Sequence, residues 1–190
     1  DGVHLDYVRY PSEEFDYSRE ALLAFREDVL SGLPAAERRR REAAVGADLI
    51  AWTDGQADRW LRFRRDRLTA LVGRVRASVK SRRPTALFSA AVLPDATEAS
   101  ARRLQDWEAW LQNRLLDVAC PMAYATDATG FAAQLTAARQ AAGSRPVWAG
   151  IGAYRLSTSQ TVENIEIARR LGASGVVLFS YDTLAGTSPA

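Results

Sequence analysis

The sequence predicts an α/β fold with a parallel sheet, and three observations carry that expectation. Five short apolar runs, at residues 3–8, 86–92, 115–124, 146–154 and 175–182, are separated by stretches of helical period. Strands alternating with helices form right-handed βαβ units. Charged and aromatic groups (Asp6, Arg9, Tyr10) crowd the carboxyl end of the first run. That is the pattern of a (β/α) barrel active site, and equally of a buried strand whose last residues are solvated. Five strands do not close an eight-stranded barrel, and an open doubly wound sheet fits the count too. No glycine-rich phosphate loop follows any strand, however, which weighs against a nucleotide-binding version.

The first run alternates with period two. Val3, Leu5 and Tyr7 fall on one face, expected to pack outward against helices. His4, Asp6 and Val8 fall on the other, putting an imidazole beside a carboxylate. Pro11 ends the strand, since proline donates no ladder bond and pushes its predecessor away from αR. The polar, aromatic loop 12–18, with Glu13, Glu14, Phe15, Asp16 and Tyr17, is placed to line or cover a pocket mouth. A helix over 19–30 presents Ala21, Leu22, Phe25 and Val29 on one side and ends at Ser31-Gly32-Leu33-Pro34. Residues 35–54 read as an insertion or elaborated loop, helical over 35–45 and less clear from Ala47 to Trp52.

A stronger helix runs from Asp58 to Lys80, with Leu61, Leu68, Leu71, Val72, Val75 and Val79 in one stripe, and Pro84 stops it. The run 86–92, bounded by Pro84 and Pro94, suits a buried parallel strand. Asp95 opens the loop at its carboxyl end. A helix over 105–111, the strand 115–124 and an alanine-rich helix over 130–142 follow. The strand 146–154 contains Gly150 and Gly152, which point to close approach by a neighbour or a ligand. A helix over 159–171 ends at Gly172, a good C′ residue, before the last strand, 175–182.

Composition narrows the function classes. The chain has 190 residues, enough for one domain with a sizeable core. The net charge of +2, with arginines interleaved with acids, is no nucleic-acid footprint, which needs clustered unpaired base. The run Arg38 to Arg41 is flanked by Glu37 and Glu42 and reads as a solvated helix face. A lone cysteine, Cys120, in an apolar strand reads as a buried structural thiol. A single histidine, His4, argues against a histidine-based zinc site, and no metal or organic cofactor is implied. No apolar run approaches a membrane span. The chain begins with Asp, inside a strand, so a fragment is expected.

Several stretches, in order along nearly the whole chain, carry a resemblance. They are Asp-Gly-Val-His-Leu-Asp-Tyr-Val-Arg-Tyr-Pro at 1–11, residues 60–65, Gln105-Asp106-Trp107, Pro121-Met122-Ala123-Tyr124, residues 149–154 and residues 175–182. Together they resemble the bacterial glycosyl-hydrolase-like family 10 proteins. The resemblance implies a (β/α)8 TIM-type barrel of which this chain covers roughly strands 4 to 8, residues 1–190 being the C-terminal part of one barrel domain. It also implies an exported or cell-envelope-attached protein. The first stretch is similar to the fourth-strand motif of family 18 chitinases, Asp-Gly-x-Asp-x-Asp-x-Glu, with Asp1 and Asp6 at the first and third acids. His4 replaces the middle Asp, and Val8 stands where the catalytic Glu would be, so the substrate-assisted mechanism is not carried over. Met122 and Tyr124 resemble the sixth-strand pair of that family, whose Tyr helps hold the sugar. The stretch is also like the fourth strand of the α-amylase family, where the position of Asp6 is the nucleophile.

Glycoside hydrolysis usually needs two carboxyl groups, about 5–5.5 Å apart for retention and about 6.5–9.5 Å for inversion. Asp6 is the first candidate, as nucleophile or base, against a plain loop carboxylate paired with Arg9. Asp95, just past a strand, is the candidate partner, against a helix-capping role. Asp182 is an alternative at the last strand's end, or a substrate-binding group. Asp106 suits a structural role near Trp107, and Asp117 begins its strand at the wrong end of the sheet. His4 could orient Asp6 or bond a sugar hydroxyl, or be a satisfied core histidine. Arg9 could hold Asp6 as the anion. Tyr10, Tyr124, Tyr154 and Tyr181 all fall at strand ends, and aromatic faces with hydroxyl tips suit sugar rings. Trp52, Trp60, Trp107, Trp110 and Trp148 read as core. The expected function is hydrolysis of a polysaccharide or cell-envelope glycan, with a non-catalytic carbohydrate-binding barrel as the rival and a barrel of other chemistry as a third reading.

Overall fold

The structure is a computed structural model describing residues 1–44 and 48–186. Strand β1 is Gly2–Leu5. Four helices follow: α1 (Arg19–Ser31), α2 (Ala35–Ala44), α3 (Leu49–Asp54) and the long α4 (Ala57–Arg82). Then come β2 (Leu87–Val92), α5 (Ala96–Arg103), α6 (Trp107–Gln112), β3 (Val118–Pro121) and α7 (Ala128–Ala142). The chain continues through β4 (Trp148–Gly152), a 3-10 turn (Ala153–Arg155), α8 (Thr158–Arg170), β5 (Gly175–Phe179) and α9 (Tyr181–Leu184).

The five described strands are parallel. β1 pairs with β2, β2 with β3 and β4 with β5, while bridges Ala119–Val147 and Met122–Gly150 join β3 to β4. Spatial order therefore follows chain order, β1 to β5. A doubly wound sheet reverses its order at a switch point, and none occurs among the described strands. The chain is a mixed α/β structure with parallel strands, consistent with part of an α/β barrel.

The outer face of the sheet is its buried face. Phe88, Ala90 and Val92 of β2, Ala119 of β3 and Ala149 and Ile151 of β4 share one core with Val72, Trp107, Trp110, Phe131, Leu135 and Ile167 from the helices. Period two in the strands and 3.6 in the helices bring these sets together. The opposite face carries His4, Ser89, Trp148 and Val177 around a cavity of about 320 Å³. A second core joins Leu22, Phe25 and Val29 of α1 to Trp60 of α4, with Tyr17, Trp52 and Phe63 packed against it. Phe25 tilts on Trp60 at 5.1 Å, Tyr17 meets Trp60 edge-on at 5.5 Å, and Phe63 stacks on Trp60 at 5.6 Å.

Two interactions pin the sheet ends. At the amino end of β3, Asp117 accepts from Arg76 at 3.1 Å, from Lys80 at 2.8 Å and from the Phe88 amide at 2.9 Å. At the carboxyl end, the fully buried Gln105 accepts from Leu93 N (2.9 Å) and donates to Val8 O (3.2 Å) and Ala91 O (3.1 Å). That single amide satisfies backbone groups from the exits of β1 and β2, which buried backbone requires.

The structure corrects several boundaries. β1 stops at Leu5, because Tyr7 enters the left-handed region (φ +52°) and the Arg9 amide donates back to the Tyr7 carbonyl at 2.7 Å. Period two fails there: Val8 turns into the helix-side core instead of sharing a face with His4 and Asp6. Tyr7, expected to pack outward, is 75% exposed. The last strand ends at Phe179, and Tyr181 and Asp182 begin a helical turn instead. Helices α3 and α5 go unread in the sequence, though both start at a capping Asp: Asp48 accepts from Ile50 N and Ala51 N, and Asp95 from Glu98 N. The helix over 35–45 is observed to Ala44, whereas Val45 and Ala47 lie outside the described residues.

Candidate functional site

The carboxyl ends of β1 to β4 hold the candidate site. Asp6 lies one residue beyond β1, exposed, with Oδ1 accepting from the Tyr7 amide at 2.8 Å. No ion pair within 4 Å joins it to Arg9 or to any other described side chain. The sequence-level idea of a loop-ordering Asp6–Arg9 pair is therefore not what the structure holds. Arg9 instead lays its guanidinium over the Tyr7 ring, 4.6 Å from the centroid.

Tyr124 leaves β3 through two tight backbone bonds, Ala123 N to Pro121 O and Tyr124 N to Met122 O, both 2.9 Å. Its ring meets Tyr154 edge-on at 6.0 Å and Phe179 at 5.4 Å. Gly152 is what lets the ring in: a Cβ there would sit 3.1 Å from Tyr124 Cγ. Gly150 serves β4 likewise, since a Cβ would lie 2.6 Å from the Pro121 carbonyl oxygen. The neighbours that these glycines admit are thus strand β3 and Tyr124. Burial first, then the charges of Tyr154 and Asp6, raise the Tyr124 phenol far above its ordinary range, against a smaller pull from Arg9. The phenol is therefore a neutral donor at any working pH. Its Oη is enclosed and meets no acceptor among the described residues.

On the inner face, His4 Nδ1 lies 2.9 Å from Ser89 Oγ across the β1–β2 register. Desolvation lowers the His4 pKa, and Asp6 partly restores it. Cys120 is buried, and desolvation pushes its thiol up to about 12, against a bond from Ser89. It is an inert structural thiol.

The other sequence-predicted residues scatter. Asp95 is the N-cap of α5, its Oδ1 accepting from Glu98 N at 2.9 Å. Tyr10 makes no ring contact with the Tyr124–Tyr154 pair among the described residues: it packs on the main core, with the Arg64 guanidinium 5.9 Å from its ring. Tyr181 is 78% exposed, and Asp182 is exposed beside it on α9. Of the four tyrosines, only Tyr124 and Tyr154 are in ring contact among the described residues. Trp60, Trp107 and Trp110 are core as read, whereas Trp148 lines the inner face.

One residue unmarked by sequence reasoning shapes the mouth. Arg64 of α4 is buried, and its Nη1 donates to the carbonyls of Glu13 (2.7 Å) and Phe15. Its guanidinium also lies 4.9 Å from the Trp60 ring centroid. It therefore holds loop 12–18 in place. Only its lying in the stretch 60–65 signalled it, because a charged residue on a helix otherwise reads as surface.

No group of three or more His, Cys, Asp or Glu side chains among the described residues could hold a metal ion. No described helix is long and apolar enough to cross a membrane. No curated protein matches the chain. The glycosyl hydrolase-like 10 family model matches residues 1–165, from the first residue of the Asp6 stretch into α8. With most of its length matched, and with acid, arginine and tyrosine gathered at the carboxyl ends of parallel strands, the chain belongs to the glycosyl hydrolase-like 10 family.

Proposed function

We propose that the protein is a glycoside hydrolase acting on a polysaccharide or cell-envelope glycan outside the cytoplasm, with Asp6 as its principal carboxylate. The five parallel strands correspond, on this reading, to strands 4 to 8 of a (β/α)8 barrel. The observation that carries it is the position of Asp6: an exposed acid one residue beyond the carboxyl end of β1, with no ion pair among the described residues. The Tyr124–Tyr154 pair gives the aromatic wall that a sugar face needs. Asp95 or Asp182 supplies the second carboxylate.

The rival is a carbohydrate-binding barrel without catalysis. One observation favours it: Asp95 already spends an oxygen on capping α5.

The test is sugar release by the intact protein from a panel of polysaccharides and peptidoglycan, with Asp6→Asn alongside. The expected result is hydrolysis that falls roughly a thousandfold or more in the variant. Hydrolysis untouched by the substitution removes Asp6 from the mechanism. Glycan binding by both proteins with no hydrolysis by either establishes the binding barrel.

A further inference from the structure

The mouth beside Asp6 carries a feature that hydrolysis of a neutral glycan does not require. A cavity of about 570 Å³ opens where β1, β2 and β3 end, lined by Tyr7, Arg9, Pro11, Leu93, Arg103 and Met122. Two of the six are cations and none is an acid. Asp6 adjoins Tyr7 in sequence but does not line the cavity.

Neither arginine makes an ion pair within 4 Å among the described residues, although Arg103 also borders a neighbouring cavity with Glu13, Glu14 and Glu98. Arg9 has no carboxylate within 4 Å among the described residues, and its enclosed Nη1 meets no acceptor there. Its one close partner is the Tyr7 ring. Arg103 is half-buried at the end of α5 and likewise makes no ion pair within 4 Å among the described residues. Its backbone is fixed to the same spot, because its carbonyl accepts from Tyr10 N at 3.0 Å. The next residue, Leu104, turns left-handed (φ +54°), and Gln105 beyond it is locked into the exits of β1 and β2. The helix dipole explains basic residues at 102 and 103 alike. It does not explain why 103 lines the cavity while Arg102 is exposed. The enclosed Arg9 Nη1 is a strong donor left unused, a costly arrangement that an anion corrects.

From this we infer that Arg9 and Arg103 form an anion subsite, so that the glycan bound beside Asp6 bears acidic groups. The inference rests on the hydrolase reading for its location but not for its chemistry. A carboxylate, sulfate or phosphate substituent provides planar or tripodal oxygens for the two guanidinium forks. The exposed Tyr7 ring, with Arg9 on one face, offers the other to the sugar carrying that group.

The test measures binding to the intact protein by calorimetry. The probes are oligogalacturonate and its methyl ester, dextran sulfate and dextran, and mannose 6-phosphate and mannose, with inorganic sulfate and phosphate alone. The variants are Arg9→Gln, Arg9→Lys, Arg103→Gln and, as an exposed-cation control, Arg102→Gln, each checked for an unchanged unfolding midpoint. An acidic probe should bind tighter than its neutral partner. Arg9→Gln and Arg103→Gln should each weaken it about tenfold or more, Arg9→Lys should restore part of the loss, and Arg102→Gln should have no effect. Which acidic probe wins identifies the anion, and tight binding of the inorganic ions alone would show that no sugar is needed and overturn the acidic-glycan assignment. Neutral probes binding equally well, or acidic binding indifferent to both arginines, overturns the subsite and leaves the hydrolase reading standing. Arginine-dependent acidic binding, with no bond cleaved in any of the polysaccharides, keeps the subsite and sinks the hydrolase.

Discussion

At the scale of single residues, side-chain chemistry is visible in sequence but its partners are not. Asp117 illustrates this. Its place at the start of a strand ruled it out of the site, yet nothing in the sequence named Arg76, 41 positions away, as its partner. Burial alone would raise its carboxyl pKa. The bonds from Lys80, the Phe88 amide and Arg76 outweigh that and hold it below the usual carboxylate value. The unfolded chain therefore binds this proton more readily than the folded one. The stabilisation is complete above the ordinary Asp pKa of about 4 and is lost as pH falls through the lower folded value. Asp117→Asn should reduce stability at pH 7 by about 1–3 kcal/mol and flatten the acid limb between about pH 5 and 2. Urea denaturation across that range reads both effects, and an acid limb unchanged in the variant would assign it to other carboxylates. Asp6 is the converse case: its place at a strand end was legible from the motif, whereas its freedom from Arg9 was not.

At the scale of elements, periodicity placed the long segments well and the short ones badly. Helices α1, α4, α7 and α8 were legible because each carries three or more turns of an apolar stripe. α3 and α5 have six and eight residues, too few for a period, and only a capping Asp, Asp48 or Asp95, marked the start of each. Strand ends failed for another reason. Period two extrapolates through Val8, but the backbone at Tyr7 turns left-handed and sends Val8 to the core. Gln105 is what makes that exit stable, since it joins Val8, Ala91 and Leu93 across two strand ends. Replacing it by leucine keeps the volume but strands three buried backbone groups. Gln105→Leu should cost about 2–5 kcal/mol, seen as a lower midpoint in denaturant with an unchanged slope. A loss below about 1 kcal/mol would mean that these groups find other partners and that the amide is no clamp.

At the scale of the whole molecule, the strand sequence β1 to β5 leaves the outer edges of β1 and β5 without a strand partner among the described residues. The apolar side chains of Val3 (38%), Leu87 (42%) and Val176 (39%) are partly exposed at this sheet. Unpaired edges beside apolar surface template further pairing. Residues 1–190 expressed alone should therefore be poorly soluble and associate in a concentration-dependent way. Light scattering after gel filtration reads this directly, and a monomer at all concentrations with one cooperative unfolding transition would refute it.

What the sequence determined by itself was the class of fold, the order of its long elements, the core character of Trp60, Trp107 and Trp110, and the place of Asp6 at the end of the first strand. All of these rest on local pattern, because periodicity and strand-end chemistry are properties of neighbours in the chain. Only the tertiary structure decided that strand order follows chain order, that Tyr124 meets Tyr154 while Tyr10 and Tyr181 turn elsewhere, and that Arg64 and Gln105 hold the loop and the strand exits. It also decided that Arg9 and Arg103 line one cavity whose lining residues include no acid. Those groupings join residues 12 to 97 positions apart. Packing and backbone hydrogen bonding choose among such contacts only once the chain has folded, so no local pattern encodes them.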